Sequence, residues 1–188
     1  MNATTYLGRP APGFKLAAAQ GGETGPQEFR GSKRVVLWFS KGLFCPFCRR
    51  NMAQLALRYP EIQALDAEVL QVTHNTLDEA RGYLKHYPMK FPYLCDAERT
   101  AHDRYGVEQL GVNLGGYAAS VATVVLDLVT KGETTPPPIP YLKRYSGKDS
   151  AQAVFVLDRE GIVRAEHRLG PNAPLPSAAE LISELQKL

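Results

Sequence analysis

The segment "RVVLWFSKGLFCPFCRR", residues 34–50, constrains this chain more than any other. Arg34 to Ser40 is a continuous apolar and β-branched run, the pattern of a strand covered on both faces. Beyond it Met52, Leu55, Ala56 and Tyr59 recur at helical spacing, and Pro60 is expected to end or kink that helix. Pro46 suits the first helical turn, where its missing N–H would have had no partner anyway. A buried strand, a short turn and an amphipathic helix therefore follow one another directly. Cys45 and Cys48 fall at the helix N-terminus.

The rest of the chain repeats this alternation. A weak strand is expected near Phe14 to Ala18, and "EVLQVTH", 68–74, reads as a second buried strand. Thr76 and Glu79 then form the pattern of a capping box at the start of a helix. "FPYLCD", 91–96, reads as a short strand leading into a helix over "AERTAHDRYGV". Residues 151–169 read as a hairpin turning at Asp158 to Gly161, and Ser177 with Glu180 caps a last helix whose Leu181, Ile182, Leu185 and Leu188 share one side. Alternating strands and helices closed by a hairpin and a helix imply an α/β protein of three layers, α/β/α. The 188 residues fit one domain, 1–188. An insertion at about 107–150 breaks the pattern: an apolar, helical stretch precedes "TKGETTPPPIPYLKRYSGKDS", whose three consecutive prolines forbid helix and suit a lid or binding loop.

Bulk properties narrow the function. The net charge is +3 and no basic run exceeds two residues, which sets nucleic acid aside. The first residues show neither a charged nor an apolar signal region, and the longest apolar stretch, Tyr117 to Val129, is too short for a bilayer and contains Asp127. A cytoplasmic protein with no membrane partner is expected. Three cysteines make no disulfide framework, and in a reducing compartment a close pair points to catalysis, redox sensing or metal binding.

Three readings of Cys45 and Cys48 compete. Zinc would need two further ligands, and the chain offers only Cys95 and the scattered His74, His86, His102 and His167. Two small residues packing a helix end are the plain structural reading. Redox chemistry is favoured: unpaired N–H groups, the helix dipole and the cations Lys41, Arg49 and Arg50 are expected to lower a thiol pKa there. The second thiol can then close an intramotif disulfide. Such chemistry needs no cofactor. Cys95 reads as a core residue or a resolving thiol, Trp38 and Phe39 as core, His74 as a structural histidine able to approach the site, and His167 as structural.

The order of elements and the motif together resemble the thioredoxin superfamily, and more closely its peroxiredoxin-like branch, the alkyl hydroperoxide reductase and thiol-specific antioxidant (AhpC/TSA) family. The resemblance runs through "GRPAPGFKL", "RVVLWFSKGLFCPFCRRNMAQL", "FPYLCDAERTAHDRYGV" and "AQAVFVLDREGIVRAEHR". It implies a thioredoxin-like fold with a central mixed sheet and a thiol-dependent antioxidant role. Against the family's P-x-x-x-T-x-x-C, Cys48 falls on the peroxide-attacking cysteine, Cys45 on the threonine and Lys41 on the proline. The family's arginine, which supports thiolate and peroxide, falls at Gln152, so Arg49, Arg50 or Arg144 would have to supply the missing charge. The implied partners are a hydroperoxide, a thioredoxin-like or small-thiol reductant and a second copy in a homodimer. Two alternatives stay open: a protein disulfide oxidoreductase with Cys45 as nucleophile, and a redox-inert sensing or binding module.

Overall fold

The computed structural model describes residues 5–43, 45–110, 149–169 and 175–188. Its strands are β1 (Leu16–Ala18), β2 (Glu23–Thr24), β3 (Arg34–Phe39), β4 (Ala67–Thr73), β5 (Tyr93–Cys95), β6 (Gln109–Leu110), β7 (Asp149–Ser150), β8 (Gln152–Leu157) and β9 (Val163–Leu169). Its α-helices are α1 (Pro46–Gln63), α2 (Leu77–Leu84), α3 (Thr100–Arg104) and α4 (Ala178–Leu185). Seven strands form one mixed sheet in the order β2-β1-β5-β4-β3-β8-β9. The inner strands β3, β4 and β5 are parallel, with Val36 beside Val69 and Thr73 beside Cys95, whereas β1, β8 and β9 join antiparallel.

Burial explains why the inner strands lack alternation. Every residue of β4 is buried, as are Val35 to Phe39 of β3, because helices or loops cover both faces of the sheet. Val36, Trp38 and Val69 pack with Cys48, Met52 and Leu55 of α1 and with Leu181 and Leu185 of α4 on one face. Leu37, Phe39 and Val72 pack with Phe14, Ala101 and Tyr105 on the other. Each fully buried valine, leucine, methionine or phenylalanine among them contributes roughly 1.5–3 kcal/mol through burial. The central mixed sheet and the three layers match the expectation.

Local signals held at most boundaries. Ser177 and Glu180 make a reciprocal capping box, as do Thr76 and Glu79. The hairpin turns at Asp158, whose carboxylate accepts from the Ile162 N–H at 2.8 Å, with Gly161 at φ +77. Of the two outcomes expected at Pro60, an end is excluded, and the helix expected after β5 needs correction. α1 runs through Pro60 to Gln63, because proline removes only its own N–H from the ladder and buried Tyr59 and Ile62 hold the turns around it. The helix after β5 is confined to Thr100–Arg104, since Arg99 before it and Gly106 after it take positive φ, +60 and +62. The two-stranded pair of β6 with β7, joining the two ends of the insertion, was not foreseen. The insertion itself, including "PPPIP" and Arg144, lies outside the described residues over 111–148. No helix among the described residues is long and apolar enough to cross a membrane.

Candidate active site

β3 ends at Phe39 and α1 begins at Pro46, at the edge where β3, β4 and β5 all finish. Such an edge gathers several loop ends at one place. Cys45 is the N-cap of α1, in extended conformation, and its sulfur accepts the Cys48 N–H at 3.3 Å. A thiol thus does the work that serine, threonine or aspartate usually does at an N-cap. Cys48 lies within the first turn and is wholly buried, and its Sγ donates to the Gln152 Oε1 at 3.2 Å. Gln152 reaches the sulfur because β8 runs antiparallel beside β3, placing the first residue of β8 next to the end of β3. No disulfide joins the two cysteines.

Four of the five sequence candidates therefore converge. Cys45, Cys48 and Gln152 touch, and Lys41, itself buried, acts on the Cys48 sulfur through its backbone N–H and its charge. Arg49 is fully buried in the same turn and bonds Cys45 through its backbone, N–H to C=O at 3.2 Å. Arg50 instead lines a cleft of about 300 Å³ between α1 and α4, with Trp38, Gln54 and Ser177.

The electrostatics correct one expectation. The Cys48 thiol is pushed well above its ordinary value, first by burial, then by the hydrogen bond and charge of Cys45, with Lys41 only partly opposing them. Desolvation outweighs the helix end because a thiolate at this depth has lost its water. Donation of the S–H to a carbonyl oxygen favours the same protonated form. Cys95 is half-buried and also pushed up, to about 11, chiefly by burial.

Sequence reasoning missed the polar framework around the thiols. Asn75, just beyond β4, accepts at one oxygen from the Leu43 N–H and the Tyr93 hydroxyl, each at 3.1 Å. Gln71, buried within β4, donates to Ser40 at 3.0 Å. A glutamine inside an apolar run and an asparagine at a strand end were the available signals. On the other face His102 meets Asp96 at 2.6 Å, and Arg99 donates to Ser150 at 2.6 Å, near His74. His167 pairs with Glu184 of α4 at 2.9 Å, and Trp38 and Phe39 are core. Among the described residues no group of three or more metal-ligating side chains is placed to hold an ion.

A model of the AhpC/TSA family matches residues 7–166. The chain belongs to that family. A Bacillus subtilis (strain 168) protein assigned as a peroxiredoxin, YkuU, is 28% identical over 128 residues, 61% of this chain and 71% of the relative. Among solved structures, a PrxQ cysteine variant from Xylella fastidiosa has a TM-score of 0.72 at 11% identity, covering 99% of this chain and 98% of that one. A Chlorobium tepidum protein assigned as the thiol:disulfide interchange protein DsbE follows with 0.63 at 18%, covering 97% and 99%. These structures share the thioredoxin-like fold. This AhpC/TSA member is a thiol-dependent oxidoreductase of the peroxiredoxin class.

Proposed function

We propose that Cys48 is the thiol that attacks a hydroperoxide and that Cys45 resolves the product. The observation that carries this reading is the convergence of Gln152 and Lys41 on the Cys48 sulfur while the Cys45 sulfur sits at the Cys48 N–H. The Cys48 thiolate displaces an alkoxide from the peroxide, forming a sulfenic acid as the O–O bond breaks, and the proton shed by the thiol completes the alcohol. Sulfur loses two electrons and the peroxide gains them. The Cys45 thiolate then attacks that sulfur, forming the disulfide and releasing water once the hydroxide takes up the Cys45 proton. A thioredoxin-like dithiol or small thiol returns both groups to the reduced form, becoming oxidised itself.

Gln152 stands where the resemblance puts the family's arginine. Its amide can accept from the thiol, and after rotation its NH₂ can donate to a thiolate or a peroxide oxygen. It offers no charge, so Lys41 is the cation we assign to the thiolate. No cofactor enters the cycle. The family resemblance supports a homodimer in the cytoplasm, with the 107–150 insertion as part of one thioredoxin-like domain.

The alternative, attack on a protein disulfide by Cys45, draws on Cys45 being the less buried thiol, 6% against 0%. Stopped-flow oxidation of the reduced protein by hydrogen peroxide and an organic hydroperoxide separates the readings. Fast oxidation that survives Cys45→Ser and vanishes in Cys48→Ser is expected. Rates no faster than a free thiol in all three proteins overturn the peroxidase assignment, and disulfide reduction dependent on Cys45 then distinguishes the alternative enzyme from an inert module.

A further inference from the structure

The cleft of about 300 Å³ between α1 and α4 has no part in the cycle above, yet both its walls are electropositive. On α1, Arg50, Gln54 and Arg58 stand four residues apart and form one row along the helix surface. The facing wall is the first turn of α4, with Ser177, Ala178 and Ala179. The first N–H groups of a helix have no carbonyl of their own helix to bond, and the dipole makes that end positive. Two alanines there leave the backbone within reach of a ligand. Among the described residues no carboxylate lines the cleft. Those nearby are engaged elsewhere: Glu61 holds Arg58 through two bonds of 2.6 and 2.9 Å, and Glu180 turns back onto the Ser177 N–H at 2.7 Å.

The floor is apolar, formed by Trp38, Leu55, Val154 and Leu181, all buried. It also holds a donor without an acceptor. Trp38 is 2% exposed, and its Nε1–H has no hydrogen-bond partner among the described residues. Buried donors are ordinarily paired, so this cleft is short of both an acceptor and a negative charge. We propose that it binds an amphipathic organic anion, a carboxylate on a single apolar chain. The carboxylate lies between Arg50 and the first turn of α4, and the chain lies on Trp38, Val154 and Leu181. Arg50 has other contacts, but a guanidinium carries five N–H donors and takes a carboxylate in addition. The volume stands at the small end of ligand pockets, which suits one short chain and not a two-chain lipid. Val154 is two residues from Gln152 along β8, on the same face, so the ligand sits beside the thiol centre. The site does not depend on which thiol attacks.

Trp38 is the only tryptophan in the chain, so its fluorescence reports the floor directly. The whole reduced chain is titrated with octanoate, 1-octanol and octylammonium, which share a chain length and differ in charge. Octanoate gives a saturable change in emission, 1-octanol binds about tenfold more weakly and octylammonium does not bind. NMR amide shifts at Ala178 and Ala179 move with the same Kd. Arg50→Gln weakens octanoate about tenfold, to the level of 1-octanol, as loss of a charge-assisted bond should. Ala179→Glu, at an exposed position where a helix favours an acid, abolishes octanoate binding without disturbing the fold, since it sets a carboxylate in the cleft. Equal affinity for octanoate and 1-octanol, no saturation, amide shifts that leave α4 untouched, or full affinity in both variants overturns the site.

Discussion

Two polar clusters sit at the same end of the seven-stranded sheet, one on each face, and they are bonded in opposite ways. On the face away from α1 the Asp96 carboxylate accepts four hydrogen bonds, from Thr100 Oγ1, the Ala101 and His102 N–H groups and His102 Nδ1, all between 2.6 and 3.0 Å. Burial alone would raise that carboxyl, yet the bonds from His102 and Thr100 hold it below its ordinary value. On the α1 face the Cys48 sulfur is buried as deeply, but it has a thiol–amide contact, an N–H of Lys41 and a neighbouring thiol. Charge-assisted bonds fix the first cluster as structure. The second is held by weak partners and kept neutral, which leaves its central atom free to change bonding during a redox cycle.

Removing the anion tests that contrast most severely. Asp96→Ala strands four donors in the core and is expected to lower stability by about 3–5 kcal/mol in urea unfolding, while Gln152→Ala costs only about 1 kcal/mol. Equal losses would erase the distinction between the two faces.

The next largest effect is in pH. His74 is held down to about 4, chiefly by burial and then by the charges of His102 and Arg99, with Glu79 and Asp96 opposing. An unfolded histidine titrates near about 6.5, so as pH falls the unfolded chain takes up this proton first. The contribution is intact above about 6.5 and is lost progressively toward about 4, on the order of 3 kcal/mol in all. The Asp96 contribution has the same sign, but it fades only below the ordinary aspartate value of about 3.9. Urea midpoints at pH 7 and near pH 4.5 should therefore diverge in the wild type and converge in His74→Gln. Persistence of the full loss in the variant would assign it to another group.

A smaller effect belongs to the thiol face. Gln152→Glu sets a carboxylate beside Cys48, and thiolate absorbance should titrate about one unit higher, with peroxide oxidation at neutral pH about tenfold slower. Gln152→Arg should move both in the other direction, and a null result in both variants would detach Gln152 from the sulfur's chemistry. Smallest of all is Cys95→Ser. The Cys95 sulfur is directed at the Thr76 carbonyl oxygen, 3.9 Å away, so its loss should change the oxidation rate less than about twofold. A larger drop, or a trapped disulfide involving Cys95, would make it a resolving thiol.

Much of this site was legible along the chain because its two sulfurs, its cap and its helix are sequence neighbours. The capping boxes at Thr76 and Ser177 and the hairpin at Asp158 were legible for the same reason: their bonds span three or four residues. Gln152 was placed through the family resemblance, since nothing local to "SAQAVF" says what lies across the sheet. Asn75, Tyr93 and the Asp96–His102 pair were not foreseen, being ordinary polar residues whose partners arrive through strand pairing and helix docking.

The sequence by itself determined the strand, cysteine turn and helix, because hydrophobic period, proline at the first helical position and cysteine spacing are local physics. Tertiary structure alone decided that Cys48 is buried, that its thiol is pushed upward, and that it bonds to a residue 104 positions away. Helix-end charge is a local property, whereas desolvation is set by everything packed around the group. At this thiol the packing outweighs the helix end.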